Sequence, residues 1–336
     1  MNVTMSLGQI KHQPVMLREV LSIISPQHGG TYIDCTFGGG GYSEAILKYL
    51  NTKVIALDRD SSTTHHAEKL KKKFPKRFTY FNTKFSNINE FFKSNQKPKA
   101  IIFDLGLSSL QLDDLERGFS FKSKKSINME MGINKYSAHE AVNNLDKREL
   151  ANIIRILGDE KDAKNIANHI VSYRKKKIIK TSEELSLIIA KAKKSYGNKK
   201  NPATKTFQAL RIFVNQELTE LMLGLTAATK ILSEGGCLIV VSFHSLEDKI
   251  VKYFFNLYSN LKKNPSRYLP LTESKSNLFT IKNKKPLTPE RKELIFNNRS
   301  RSAKLRFGIR NNNKFFYPEE FIKKFEQYSK TESFTL

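Results

Sequence analysis

Apolar runs of strand length recur at residues 31–35, 53–57, 78–82 and 100–104, each pair separated by enough chain for a helix. This alternation predicts a doubly wound parallel sheet flanked by helices. After Asp104 the rhythm breaks, and residues 112–200 carry only helix-like periodicity, at 138–157, 159–173 and 182–194. The strand pattern resumes with CLIVV at 237–241, and AKLRF at 303–307 alternates small or apolar with basic side chains. The expectation is an α/β domain built from residues 1–111 and 201–336, interrupted by an all-helical insertion at 112–200. An insertion at that edge of such a sheet sits above the ligand crevice and is placed to hold substrate.

NPATKTF at 201–207 reads as a helix start, with Asn201 as cap and Pro202 in the first helical position. Phe207, Leu210, Val214, Leu218 and Leu221 follow at spacings of 3, 4, 4 and 3, which predicts one buried face. Thr204, Gln208, Arg211 and Asn215 form a polar stripe on another face, a mixture suited to RNA contacts. Residues 259–300, rich in Lys, Asn, Ser and Pro, read as a mobile loop.

Charge narrows the partner class. The chain has 58 basic and 32 acidic residues, a net charge of +26, and a field of that sign draws polyanions, nucleic acid first. No apolar run reaches 18 residues and no secretory leader is evident, so a membrane partner is not expected and a cytoplasmic protein is. Cys35 and Cys237 lie in separate apolar segments without metal-ligand spacing, so neither a disulfide framework nor a metal site is expected.

The chemistry concentrates at TYIDCTFGGGGYS, residues 31–43, and at Asp58, which closes the second apolar run. A strand ending on a carboxylate, a glycine turn and then a helix make room for a nucleotide-like ligand at the strand ends. Asp58 lies 20 residues after Gly38, a distance suited to a carboxylate that meets a ribose diol. A dinucleotide fingerprint needs a third glycine at position 43, which is Ser, so hydride transfer loses ground. The segment from Asp34 instead resembles the first motif of S-adenosylmethionine-dependent amino methyltransferases. In that reading Asp34 orients the loop or meets the methionine ammonium, while Gly38, Gly40 and Gly41 leave room for the ligand. IIFDLGLSSLQ, residues 101–111, then puts Asp104 at the end of the fourth strand, where the methyl donor should point. Transfer to an exocyclic amine needs an acceptor for the amino protons at that spot, and Asp104 is the candidate, with Ser108, Ser109 and Gln111 in the loop after it.

Longer strings carry a more specific resemblance. HQPVMLREVL, YIDCTFGGGGYS, IALDRD, FDLGLSSLQLDDLERGFSF, NPATKTFQALRIFVNQEL, GGCLIVVSFHSLEDKIVK and RSRSAKLRF are similar to segments of the bacterial MraW or RsmH family of ribosomal small-subunit RNA methyltransferases. That family methylates N4 of a cytosine in the decoding region of 16S ribosomal RNA. The resemblance implies a class I methyltransferase fold, Rossmann-like, with S-adenosyl-L-methionine as cofactor and the small ribosomal subunit as partner. It implies cofactor contacts at Gly40, Gly41, Tyr42, Asp58, Phe85, Asp104 and Gln111. The chain departs from the family at Tyr42, where His is usual, and at Asn128 and Gly132, where Asp is usual.

In SFHSLED, residues 242–248, Ser245 and Asp248 fit a helix-capping pattern, while His244 at the end of the fifth strand is a second candidate for a catalytic role. Arg299, Arg301, Lys304 and Arg306 fit phosphate contacts. Two rival readings share these features. A non-enzymatic RNA-binding or subunit-assembly factor could keep an adenosine pocket, and a DNA amino methyltransferase shares the chemistry. The latter should carry an N/D/S-P-P-Y/F motif, where this chain has DLGLSS.

Overall fold

In the computed structural model, residues 14–92, 97–134, 136–193, 201–259 and 277–334 are described. Among the described residues, seven strands form one sheet: β1 Gly30–Asp34, β2 Thr52–Asp58, β3 Phe78–Asn82, β4 Ala100–Asp104, β5 Cys237–Ser242, β6 Phe279–Thr280 and β7 Lys304–Arg310. Their order is β3-β2-β1-β4-β5-β7-β6, with β1 to β5 parallel and β7 antiparallel to both β5 and β6. The order reverses between β1 and β4, where crossovers leave on opposite faces and a crevice opens above the carboxyl ends. The fold is therefore the expected α/β doubly wound sheet. Its two-residue β6 lies within the stretch read as a loop at 259–300, of which residues 260–276 fall outside the described residues. The helix Arg291–Phe296 also lies in that stretch.

Parallel strands covered on both faces have no wet side, which is why their sequences run apolar without alternation. Ile33, Ile101, Phe103, Leu238 and Val240 point to one core, and Tyr32, Val54, Ala56, Ile102, Ile239 and Val241 to the other. The first core continues into the segment after β4: Leu150, Ile153, Ile154, Leu157, Ile166 and Ile170 belong to the same buried cluster as the sheet side chains. That segment contains helices Ala138–Asn144, Lys147–Gly158, Ala163–Arg174 and Ser182–Ala192. The periodicity at 138–157 thus covers two helices. Asp146 interrupts it, because its side chain accepts the Glu149 amide (2.7 Å) and starts a new helix with a capping box.

The NPAT segment starts a helix, with its bounds shifted. Asn201 Oδ1 accepts the Ala203 amide (2.8 Å), an Asx turn one step ahead of the helix Thr204–Asn215. Gln216 has φ 52° and ends it, so Leu218 and Leu221 of the apolar stripe belong to the next helix, Glu217–Ile231. All five stripe residues are buried. The start of that second helix is capped from the far end of the chain: the buried Glu332 accepts the amides of Leu218 and Thr219, both at 2.9 Å. Burial pushes the Glu332 carboxyl up to about 8 despite these bonds and the Thr219 hydroxyl, so it is a costly cap. Glu332→Ala leaves the buried Leu218 amide and the half-buried Thr219 amide without an acceptor and is expected to lower the unfolding free energy by roughly 1–3 kcal/mol in urea. An unchanged midpoint would show that the C-terminal helix Glu326–Glu332 caps nothing.

Candidate active site

Three carboxylates close three neighbouring strands. Asp34 ends β1, Asp58 ends β2 and Asp104 ends β4, with Asp34 in register with Ile102 and Asp104 with Val241. All three stand at the switch point of the sheet, although the chain as a whole is strongly basic.

Each carboxylate has a different set of partners. Asp34 is buried, and its oxygens accept Ser43 Oγ (2.7 Å) and the Thr36 amide (3.3 Å), so it holds the glycine turn from below. Asp58 Oδ2 accepts the Gly38 amide and its Oδ1 the Asp60 amide, both at 2.8 Å. Asp104 donates its backbone amide to Thr36 Oγ1 (2.7 Å), but its Oδ1 is buried and has no hydrogen-bond partner. Burial raises all three carboxyls: Asp34 to about 6, Asp58 to about 7, and Asp104 well above the usual carboxylate range. Hydrogen bonds partly counter the effect at Asp34 and Asp58. At Asp104 nothing does, and the charges of Asp34, Glu247 and Glu293 add to it.

A cluster of under-compensated carboxyls is a receptor for a cation, and S-adenosylmethionine carries a sulfonium and an ammonium group. The donor set therefore fits that cofactor. A bound cation favours the ionised carboxylates and draws their pKa values down, so binding must release protons wherever the free protein still holds them. Cofactor affinity is expected to rise from about pH 5.5 to pH 8, the window set by Asp34 at about 6 and Asp58 at about 7. Titration calorimetry in two buffers of different ionisation enthalpy checks this near pH 6.5, and a heat independent of buffer contradicts it.

Several candidates have partners within the protein. A Cβ on Gly40 would come within 2.8 Å of the Phe37 ring, and one on Gly41 within 2.3 Å of Pro14. Protein neighbours alone thus exclude a side chain at both glycines. The buried Tyr42 donates its hydroxyl to the Val15 carbonyl, and so fastens the N-terminal segment over the glycine turn. Gln111 forms a capping box with Ser108 and donates Nε2 to Asp60 Oδ2 (2.8 Å). Phe85 is half-buried and meets Phe103 edge-on at 5.1 Å. At Gly132, φ is +103° and a Cβ would lie 2.1 Å from the Arg59 carbonyl oxygen, so the Asp usual in the family does not fit this backbone. Asn128 is held locally, its Oδ1 2.7 Å from Ser126 Oγ.

The polar stripe of the NPAT helix requires a correction. Asn215 is fully buried: its Oδ1 accepts the Met131 amide (2.8 Å) and Asn134 Nδ2 (2.9 Å), and its Nδ2 donates to the Met129 carbonyl (2.8 Å). It cannot reach RNA. Arg211 is bidentate to Glu217 (2.8 Å each) with its side chain 14% exposed. Gln208 donates to the Leu157 carbonyl (3.4 Å), and the exposed Thr204 donates to the Asn201 carbonyl (2.7 Å). Period alone does not separate a wet stripe from one covered by the segment after β4. Lys304 (2.9 Å) and Arg306 (2.7 Å) clamp Asp248. Arg299 bonds Ser109 and Asp113 of the short helix Ser109–Asp113 after β4, and Arg301 is exposed.

The cap of the helix Ser245–Leu257 lies one residue earlier than expected. His244 is the N-cap: its Nδ1 accepts the Glu247 amide (3.4 Å), and Glu247 returns a bond to the His244 amide (3.2 Å). His244 Nε2 lies 3.1 Å from Glu247 Oε1. Ligand atoms of Glu217, His244 and Glu247 lie within 4.8 Å of one another, and the Arg211 guanidinium supplies the positive charge there. Burial pushes the Glu247 carboxyl up, and His244, Arg211 and the Phe243 amide more than offset this and hold it low. Sequence reasoning passed over Glu247, Thr36 and Asp60. The H-x-x-E spacing pointed to Glu247, and the second acid of IALDRD to Asp60. Asp60 is a node: it takes Gln111, the Ser62 amide and Arg117 (2.6 Å), while Arg59 bonds the Asn215 and Ile133 carbonyls.

With this geometry in place, the comparisons decide the family. A family model described as the MraW methylase family matches residues 9–310. The chain belongs to the MraW methylase family. It is a methyltransferase, and its methyl donor is S-adenosylmethionine. A relative from Wolbachia sp. subsp. Drosophila simulans, named ribosomal RNA small subunit methyltransferase H, is 47% identical over 298 residues, covering 88% of this chain and 97% of the relative. One of the same name from Ehrlichia canis is 45% identical over 303 residues, covering 88% and 98%. Cys35 and Cys237 are both free and buried. Among the described residues, no helix is long and apolar enough to cross a membrane.

Proposed function

We propose that this methyltransferase modifies the exocyclic N4 of a cytosine in the decoding region of 16S ribosomal RNA, presented by the small ribosomal subunit in the cytoplasm. One observation carries the reading most: Asp104 offers a buried oxygen without a donor at the point of the sheet where a methyl donor and an amine must meet. An acceptor there selects an N–H substrate over a ring carbon or a hydroxyl that needs a stronger base.

The bound cofactor supplies an electrophilic methyl group. Asp58, whose two oxygens already gather the Gly38 and Asp60 amides, takes the ribose hydroxyls with its remaining lone pairs. Asp34 acts one layer below, through Ser43 and Thr36, and fixes the turn. Phe85 lines the adenine side, and Gln111, tied to Asp60, sets the loop after β4. Asp104 accepts an N–H of the cytosine amine, which turns the nitrogen lone pair out of ring conjugation and toward the methyl carbon. The amine becomes acidic only as it gains the methyl, so its proton leaves afterwards to Asp104 or water. The cytosine must be splayed from its stack to reach this depth, and the insertion read at 112–200 is the proposed RNA-holding part. His244 acts by starting its helix beside Asp104.

The test is to incubate the protein with methyl-labelled cofactor and small subunits that lack the modification, digest the RNA and identify the labelled nucleoside. N4-methylated cytidine is expected. Label on a ring carbon, on a ribose or only on added DNA overturns the reading.

A further inference from the structure

The large apolar side chains exposed on this protein stand singly, except at one place: among the described residues, Leu294, Ile295 and Phe296 are the only consecutive run. Phe296 is 83% exposed and Ile295 74%. Isolated exposed aliphatics need no explanation, but an exposed aromatic at the end of an apolar run marks an interaction surface.

Two anchors place this run at the mouth of the active site. On one side, Glu293 accepts the Met16 amide (2.9 Å), next to Val15, whose carbonyl holds Tyr42. The Glu293 carboxylate is close enough to act on both Tyr42 and Asp104. On the other side, Arg299 bonds Ser109 and Asp113 after β4. Residues 293–299 therefore bridge from the segment over the glycine turn to the loop beyond Asp104, and Phe296 stands midway between the anchors.

The charge around the run selects its partner. Arg291, Lys292 and Arg301 are exposed, Arg299 is about a third exposed, and Glu293 is the single acid between residues 291 and 301. An aromatic face flanked by arginines is the arrangement that stacks on an unpaired base while cations hold its phosphates. A hydrophobic protein partner would not need the cations.

We infer that Phe296, with Ile295 beside it, is a stacking platform for a base neighbouring the extruded cytosine, with the exposed Lys292 and Arg301 on the adjoining phosphates. The inference rests on the RNA-methylation reading and deepens it: removing a base from its stack leaves a neighbour with an uncovered face, and Phe296 covers it.

The chain has no tryptophan, so Phe296→Trp installs a single emitter at the platform. Its emission, read as the difference from wild-type protein mixed with the same subunits, is expected to fall when small subunits lacking the modification are added. Phe296→Ala is expected to raise KM for the subunits about tenfold or more, with cofactor affinity and thermal midpoint unchanged. A KM within twofold of wild type overturns the inference. So does tryptophan emission that ignores bound subunits, or a wild-type dimer in sedimentation that Phe296→Ala dissociates, since the run would then cover a second copy of the chain. If the wild-type protein labels no RNA at all, the proposed function fails. If it does and Phe296→Ala matches it, the platform alone fails.

Discussion

Replacing Asp104 by alanine is expected to lower kcat for methyl transfer by about 10²- to 10⁴-fold, the range for removing a group that manages a substrate proton. Cofactor affinity should fall less than kcat, because Asp34 and Asp58 of the carboxyl cluster remain and Asp58 still gathers the glycine-turn amide. The folded state should not weaken. The Asp104 carboxyl is buried, its Oδ1 has no partner, and its neighbours Asp34, Glu247 and Glu293 are themselves acidic. Removing it relieves a desolvation cost of roughly 1–3 kcal/mol, so the unfolding midpoint of Asp104→Ala should equal or exceed that of the wild type. Asp104→Asn keeps one carbonyl oxygen as acceptor but presents an amide donor to an amine donor, and should lose activity with little change in stability. Stopped-flow or quench transfer assays with denaturant curves on both variants check this. A large fall in stability together with kcat would make Asp104 a structural residue.

The second large effect concerns Asp58. Asp58→Ala removes the proposed ribose acceptor and the acceptor for two backbone amides, Gly38 and Asp60, in one step. Hydrogen bonds to a charged group are worth about 1.5–3 kcal/mol, so the cofactor Kd should rise roughly 10- to 100-fold. The pH dependence of binding should flatten as well. The Asp58 carboxyl, pushed up to about 7 by burial, releases a proton on binding, and Asp58→Asn has none to release. Affinity of the asparagine variant should therefore vary little between pH 6.5 and 8, whereas the wild type tightens. Calorimetry at both pH values decides it, and an Asp58→Asn variant with the wild-type slope would assign the proton elsewhere.

The sheet was legible because its strands are covered on both faces: an apolar run that ends on a carboxylate marks a strand and its functional end together, as at Asp34, Asp58 and Asp104. The antiparallel β7 was readable by its alternation. The two-residue β6 was not, since its pairing with β7 depends on tertiary position and on no pattern of its own. Asn215 was misplaced because a polar residue at helical spacing looks the same whether it faces water or the backbone of residues 129–131, and only the fold distinguishes them. The packing of Phe37 and Pro14 against Gly40 and Gly41 is a further constraint on these glycines that only the fold reveals. Asp60 escaped notice because it acts through partners distant in sequence, Arg117 and Gln111, whereas Glu247 carried a local signal in its spacing from His244 that the common Ser245 cap pattern masked. Capping chemistry was found in the right motif and one residue off, because His244 is a rare N-cap where Ser245 is a common one.

The central claim is that the orphaned oxygen of Asp104 marks the meeting point of methyl donor and acceptor amine. A structure of the protein with demethylated cofactor and cytidine tests it most directly. The account predicts the cofactor sulfur facing the carboxyl end of β4 and the cytidine N4 within hydrogen-bond distance of Asp104 Oδ1, about 3 Å. A cofactor whose sulfur points away from Asp104, or a cytidine whose amine meets some other acceptor, would contradict it.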